Sequence, residues 1–257
     1  MKLRVLLLSA VILLLASMPQ AAAQQRSTVL LELFTSEGCS SCPEADRVLA
    51  ELSDHPYWRR RIVAMAYHVD YWDQLGWADS FSDERWSARQ RRYGQAFHRK
   101  GVYTPQLVIQ GAKEIIGSHR TQALRDILEF SEKSPWVRLG VERSRPSGAL
   151  GQALVLNLHA ELLRNRVRRR LVLAAALCES GLQSPVTGGE NQGRLLKHDC
   201  VVRELVEATR FPSTADEVDS EVVFLLPEGA PNDSYSVAVF VQDLDSMEVW
   251  GSLLYDL

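Results

Sequence analysis

The sequence predicts an α/β unit followed by a mostly antiparallel, β-sandwich-like unit. Three observations carry this. The apolar run Val29 to Phe34 gives way to an amphipathic stripe after Pro43, strand-like and helix-like segments alternate as far as Phe130, and beyond Ser131 to Pro135 the pattern turns to alternating strands and turns. A run apolar at nearly every position suits a strand buried on both faces of a parallel sheet, whereas alternation suits antiparallel pairs with one wet face.

The chain opens with Lys2 and Arg4, the apolar run Val5 to Ala16, and then Ala21-Ala22-Ala23. This is the pattern of a secretory signal peptide at residues 1–23, and its apolar run is shorter than the ~18–20 residues that span a bilayer. The expected product is periplasmic or secreted, with no membrane span after cleavage. Its domains are expected at 24–130 and 131–257.

Val29 to Phe34 is the first strand, interrupted in polarity only by Glu32, and Thr35-Ser36-Glu37-Gly38 turns the chain. Ala45, Val48, Leu49 and Leu52 then recur at helical spacing, with Pro43 in the first turn, where its missing N–H is harmless. Ile62 to Val69 is a second strand. Ser82-Asp83-Glu84 is an acid-rich start for a helix carrying Trp86, Tyr93 and Phe97. Leu107 to Ile109 and Ile115-Ile116 flank Gln110-Gly111-Ala112 as a hairpin, and Thr121 is the expected cap of a helix through Leu124, Ile127 and Leu128. In the second half, Ala153 to Leu158, Leu171 to Leu177, Val222 to Leu226 and Ser236 to Val241 read as strands; Cys200 to Ala208 reads as strand or short helix.

The 257 residues carry 29 Lys+Arg against 32 Asp+Glu, a net charge of -3, so nucleic acid is not an expected partner. Removing the leader takes away two bases and no acid, and the rest is mildly acidic. Hydrophobic residues at 46% and charged residues at 24% suit a folded protein and exclude a mainly disordered one.

The chemistry concentrates at Cys39-Ser40-Ser41-Cys42, between the first strand and its helix. Unpaired backbone N–H groups and the helix dipole stabilise a thiolate there, and one helical turn brings the second sulfur within bonding reach. In this reading Cys39 attacks and Cys42 resolves. The alternatives are a structural disulfide in a secreted binding module, and half of a zinc site in a metal-binding accessory protein. The remaining cysteines, Cys178 and Cys200, are not a second C-x-x-C, so no metal site and no cofactor is expected.

The blocks Glu32-Leu33-Phe34-Thr35-Ser36, Cys39-Ser40-Ser41-Cys42-Pro43, His68-Val69-Asp70-Tyr71-Trp72-Asp73, Gly76-Trp77 and Tyr103-Thr104-Pro105-Gln106 resemble an uncharacterised family of secreted bacterial proteins, a domain of unknown function with a thioredoxin-like fold. The resemblance spans residues 28–130. It implies that Thr104-Pro105 is cis, faces the cysteines and helps bind substrate, and that the partners are protein thiols or disulfides. Two departures stand out. Thioredoxins carry a buried acid six residues before the first cysteine, where this chain has Leu33 with Glu32 on the opposite strand face. The segment Asp70 to Phe81 is also longer and richer in aromatics than a minimal connection.

Among other residues, His68 and Glu37 are candidates for proton transfer. The plainer readings are a hydrogen-bonded structural histidine and a solvated loop acid. Trp72, Trp77 and Trp86 read as core before binding surface, Arg164 to Arg170 as a solvated hairpin, and Gly188 to Gly193 as a plain loop. Cys178 and Cys200 flank strand-like segments and are expected to form a structural disulfide. Closing a loop of about 20 residues contributes roughly 3 kcal/mol in the chain-entropy model.

Overall fold

The computed structural model describes residues 28–144, 153–164, 169–229 and 231–257. The expected leader at 1–23, and 165–168 of the arginine run, lie outside the described residues.

Strand β1 (Val29–Thr35) leads into helix α1 (Cys42–Asp54), then β2 (Ile62–His68) and α2 (Glu84–Ala96). The hairpin β3 (Gln106–Ile109) and β4 (Lys113–Ile116) and helix α3 (Arg120–Ser131) complete the first half. Every residue of β1 and β2 is buried, as two central strands require. They pair in parallel from Val29 opposite Ile62 to Thr35 opposite His68, so both strands end at one edge of the sheet. The acid-rich start of α2 works as expected: the Asp83 side chain accepts the Arg85 amide. Helix α3 begins instead at Arg120, with His119 at the cap position, so Thr121 lies inside its first turn.

The second half contains β5 (Val137–Ser144), β6 (Ala153–Leu162), β7 (Leu171–Glu179), β8 (Leu182–Pro185), β9 (Leu195–His198), β10 (Val201–Arg210), β11 (Glu217–Leu225), β12 (Tyr235–Asp243) and β13 (Val249–Asp256). It does not form a separate sandwich. β10 joins β2 through Val201 opposite Ala66, and one sheet of eight strands runs β13-β12-β7-β10-β2-β1-β3-β4. The molecule is therefore mixed α/β, built on a large and mostly antiparallel sheet with few helices. The β2 edge, which would otherwise stand open to pairing, is met by β10 at Ala66. A second sheet, β11-β6-β5, packs its Leu154, Leu156, Val222 and Phe224 against Leu173, Val239 and Trp250 of the large sheet. The change of pattern near residue 131 thus marks an added layer on a continuous sheet.

Strand alternation separates two cores in the first half. Leu30, Phe34, Met65 and Tyr67 face α2, whereas Leu31, Leu33, Ala64 and Ala66 face α1 and α3. Glu32 lies on the α2 face, where Arg89 Nε donates to its Oε2 at 2.6 Å and Tyr93 donates to its Oε1. Gln242 of β12 closes this network by accepting from Arg89 at 3.0 Å and donating to Tyr93 at 2.8 Å.

The same separation corrects the expected second disulfide, because Cys178 and Cys200 are free thiols. Cys178 sits opposite Val202 and points into the α2-side core with Ala174 and Ala176. Cys200 has a left-handed backbone, φ 58°, which breaks the strand alternation; its sulfur lies 3.5 Å from Ser53 Oγ of α1, on the other face. Burial pushes the Cys178 thiol well up and the Cys200 thiol up to about 11, so both stay protonated near neutral pH.

Candidate functional site

The site forms where β1 and β2 end. After Thr35 the chain turns so that the Cys39 amide donates to Ser36 O at 3.2 Å, and Cys39, in the turn before α1, forms a disulfide with Cys42, the first residue of α1, with Cα atoms 5.4 Å apart. Ser40 and Ser41 are exposed, yet Cys39 is only 1% and Cys42 0% exposed.

Around the cysteine loop lies an ionisable cluster, buried at Glu37, His68, Asp79 and His198 and half-buried at Asp46. His68, at the end of β2, places Nδ1 2.7 Å from Asp79 Oδ2, which also accepts the Glu37 amide at 2.8 Å. The Glu37 carboxylate accepts from Trp77 Nε1 at 2.7 Å and stands 3.1 Å from His198 Nε2 at the end of β9. Asp46 of α1 accepts from the Thr35 hydroxyl at 2.7 Å, and its other oxygen lies 3.8 Å from His198 Nδ1. The His68 and His198 rings meet edge to face at 4.8 Å, with Phe81 against both. His68 Nε2 and His198 Nδ1 are buried without a hydrogen-bond partner.

These contacts divide the acids. Burial pushes the Glu37 carboxyl up, but hydrogen bonds from His198, Ser184 and Trp77 outweigh it and hold it below the usual carboxylate range. Asp79 behaves likewise: burial is outweighed by His68 and by the amides of Glu37 and Phe81. Burial also opposes charge on His68, yet the carboxylates of Asp79, Asp46 and Glu37 hold its proton more tightly than usual. At Asp46 burial wins over His198, His68 and Thr35, and its carboxyl is pushed up.

Both expected proton-transfer candidates are thus in the cluster, and Glu37 is wholly buried rather than a solvated loop acid. The Thr104-Pro105 peptide is cis. It connects to the cysteine loop through Trp72, whose Nε1 donates to Thr104 Oγ1 at 2.9 Å and whose Cβ would stand 3.1 Å from a methyl placed on Gly38. Trp86 is core, while Trp72 and Trp77 are half-buried and brace the site. Asp46, Asp79 and His198 were not among the sequence candidates. Spacing offers a signal for Asp46 alone, one helical turn beyond Cys42.

The glycine-rich loop is more than a connection. Asn191 donates through Nδ2 to Glu37 O at 2.8 Å and to Cys39 O at 2.9 Å, and the Glu190 carboxylate accepts the Ser40 amide at 2.9 Å. Gly188 packs so closely on Gly76 that a methyl there would run into the Gly76 carbonyl oxygen. Among the described residues of the arginine run, Arg169 and Arg170 donate to Asp243 and Asp245 at 2.8 and 3.0 Å.

A family model described as a protein of unknown function, DUF1223, matches residues 30–242, from β1 into β12. The chain belongs to the DUF1223 family. No curated protein matches it. Among solved structures, this DUF1223 chain is similar to a protein of Agrobacterium tumefaciens, with 23% identity and a TM-score of 0.66 over 91% of this chain and 96% of that one. It is also similar to HBP35 of Porphyromonas gingivalis, with 14% identity and a TM-score of 0.67 over 90% of this chain and 76% of that one. Identities this low bear on the fold alone. Among the described residues of the DUF1223 chain, no group of three or more His, Cys, Asp or Glu side chains is arranged to hold a metal ion, and no helix is long and apolar enough to cross a membrane.

Proposed function

We propose that this protein is an exported thiol-disulfide oxidoreductase with a thioredoxin-like catalytic half, in which Cys39 and Cys42 exchange with protein thiols or disulfides. The observation that carries the reading is the Cys39–Cys42 disulfide at the start of α1, set against a buried cluster of acids and histidines. In the reducing direction, the Cys39 thiolate attacks a substrate disulfide and expels one substrate sulfur as thiolate. Cys42 then attacks Cys39, re-forming the protein disulfide and releasing the second substrate sulfur; two electrons pass from the protein dithiol to the substrate. Thr104 and Pro105 form the substrate groove in this reading, and the leader at 1–23 directs export.

A second reading, an inert disulfide in a secreted binding module, is favoured by the burial of both cysteines at 1% and 0% exposure. The reduction potential separates the two. A value above about -300 mV supports exchange, whereas a lower value marks a structural bond that cellular thiols do not open. Cys42→Ser should then trap a few exported proteins on Cys39 as mixed disulfides. An empty trap, under conditions where a known exchange enzyme captures its clients, counts against catalysis.

A further inference from the structure

A resolving thiol must lose its proton before it attacks, because the thiolate is the nucleophile. The position six residues before Cys39 holds Leu33, which accepts nothing. Five ionisable groups lie nearby. Glu37 and Asp79 are poor acceptors: donors engage both of their carboxylate oxygens, and those contacts keep the carboxylates weakly basic. His68 holds its own proton against Asp79.

Asp46 differs. It lies four residues beyond Cys42 on α1, and helical side chains lean toward the N-terminus, so its carboxyl leans toward the turn that carries Cys42. One oxygen receives the Thr35 hydroxyl, and the other looks onto His198 Nδ1 at 3.8 Å, an atom with no hydrogen-bond partner. The charged and polar groups acting on it are Thr35 from β1, His68 from β2, Asp79 from the loop after β2, and His198 from β9, whose other ring nitrogen meets Glu37. Burial dominates this balance, and Asp46 is the acid of the cluster whose carboxyl is pushed up while those of Glu37 and Asp79 are held down.

We propose that Asp46 is the proton acceptor for Cys42 when the mixed disulfide on Cys39 resolves, and that His198, supplied by the second half of the chain, is its positioning residue. This rests on the exchange reading above. The Cys42 thiol gives its proton to the Asp46 carboxylate. The sulfur electron pair then attacks Cys39 Sγ, the Cys39–Cys42 bond forms, and the Cys39–substrate bond breaks. The departing sulfur leaves as a thiolate and takes a proton from solvent. The substrate disulfide is the oxidant throughout. Catalysis would then depend on the second half of the chain, because His198 arrives only through the β8–β9 hairpin.

The test is stopped-flow reaction of the reduced full chain with the aromatic disulfide dithiobis(nitrobenzoate), from about pH 5 to pH 9. The first thionitrobenzoate released reports Cys39 attack and the second reports Cys42; Cys42→Ser fixes the amplitude of the first. Asp46→Asn is expected to slow the second release on the order of 100-fold near neutral pH and to make its rate climb toward the ordinary thiol range, leaving the first release within about twofold. His198→Gln is expected to shift the second pH profile in the same direction. A second release whose pH profile neither variant moves, beside a normal first release, overturns this proposal alone. Absence of the first release overturns the exchange reading and this proposal together. If Asp46→Asn does not fold, His198→Gln and the infrared difference spectrum of the unmodified chain carry the test. A buried carboxyl band that changes between disulfide and dithiol supports the proposal, and a spectrum without one overturns it.

Discussion

His198 Nε2 and Glu37 Oε1 lie 3.1 Å apart across 161 positions of sequence. Glu37 belongs to the loop that leads through Cys39 to Cys42, and His198 ends a hairpin of the second half, so this contact joins the two halves beside the disulfide. Asn191 and Glu190, which bond the same loop, come from that region too. The second half therefore both roofs and floors the site.

The contacts of Asn191 and Glu190 with the cysteine loop should limit access to Cys39. Asn191→Ala removes two hydrogen bonds to the cysteine loop and should speed reduction of the Cys39–Cys42 disulfide by dithiothreitol about tenfold, by favouring local opening over global unfolding. Glu190→Ala should act in the same direction with a smaller effect, because that carboxylate is exposed. Equal reduction rates in all three chains would show that the roof does not limit access.

The His68–Asp79 pair should shape stability against pH. The His68 proton is held more tightly when folded, so its contribution is complete below the ordinary histidine value of 6.5 and is lost as pH rises through the raised value. Asp79 is held below its ordinary 3.8, so its contribution is present above that value and is lost as pH falls through the lowered one. Asp46 has its carboxyl raised, so its contribution is present below 3.8 and is lost as pH rises through the raised value. Urea midpoints across pH should fall at both ends, and His68→Gln should flatten the fall on the alkaline side. A variant that keeps the full alkaline slope would contradict this assignment.

Arg89 and Glu32 form a buried ion pair at 2.6 Å with side-chain exposures of 7% and 1%. Arg89→Met should destabilise the fold by about 3–5 kcal/mol, because it leaves the Glu32 charge uncompensated. Adding Glu32→Leu should recover most of that loss, since an apolar pair needs no counter-charge. Denaturant titration of the single and double variants checks this; a double variant no more stable than the single would point to lost packing instead.

Cys178 and Cys200 should alkylate as two free thiols once the unreduced chain is denatured, while Cys39 and Cys42 remain bridged. Mass spectrometry reads the outcome directly. A chain with no free thiol would restore the second bridge.

Local patterns in the sequence were enough to find the β1–α1–β2 unit, the acid-capped α2, the β3–β4 hairpin and the cysteine pair at a helix start. Each depends on neighbours within a few residues: apolar period, a cap, or the turn between two cysteines. Strand alternation also put Glu32 on the face opposite Leu33. What filled that face was not visible, because Arg89 and Gln242 reach Glu32 from 57 and, through Arg89, a further 153 positions away.

Pairing decided the rest. Whether the second half is a detached sandwich or a continuation of the first sheet turns on the β2 edge accepting β10, through a single register pair, Val201 with Ala66. The state of Cys178 and Cys200 turns on a left-handed backbone at Cys200 that sends the two sulfurs to opposite faces. The buried cluster turns on β9 delivering His198 to Glu37 and Asp46. Periodicity reports which face of an element is apolar, but charges that meet only in the folded chain leave no periodic trace, and burial then decides which of them hold a proton.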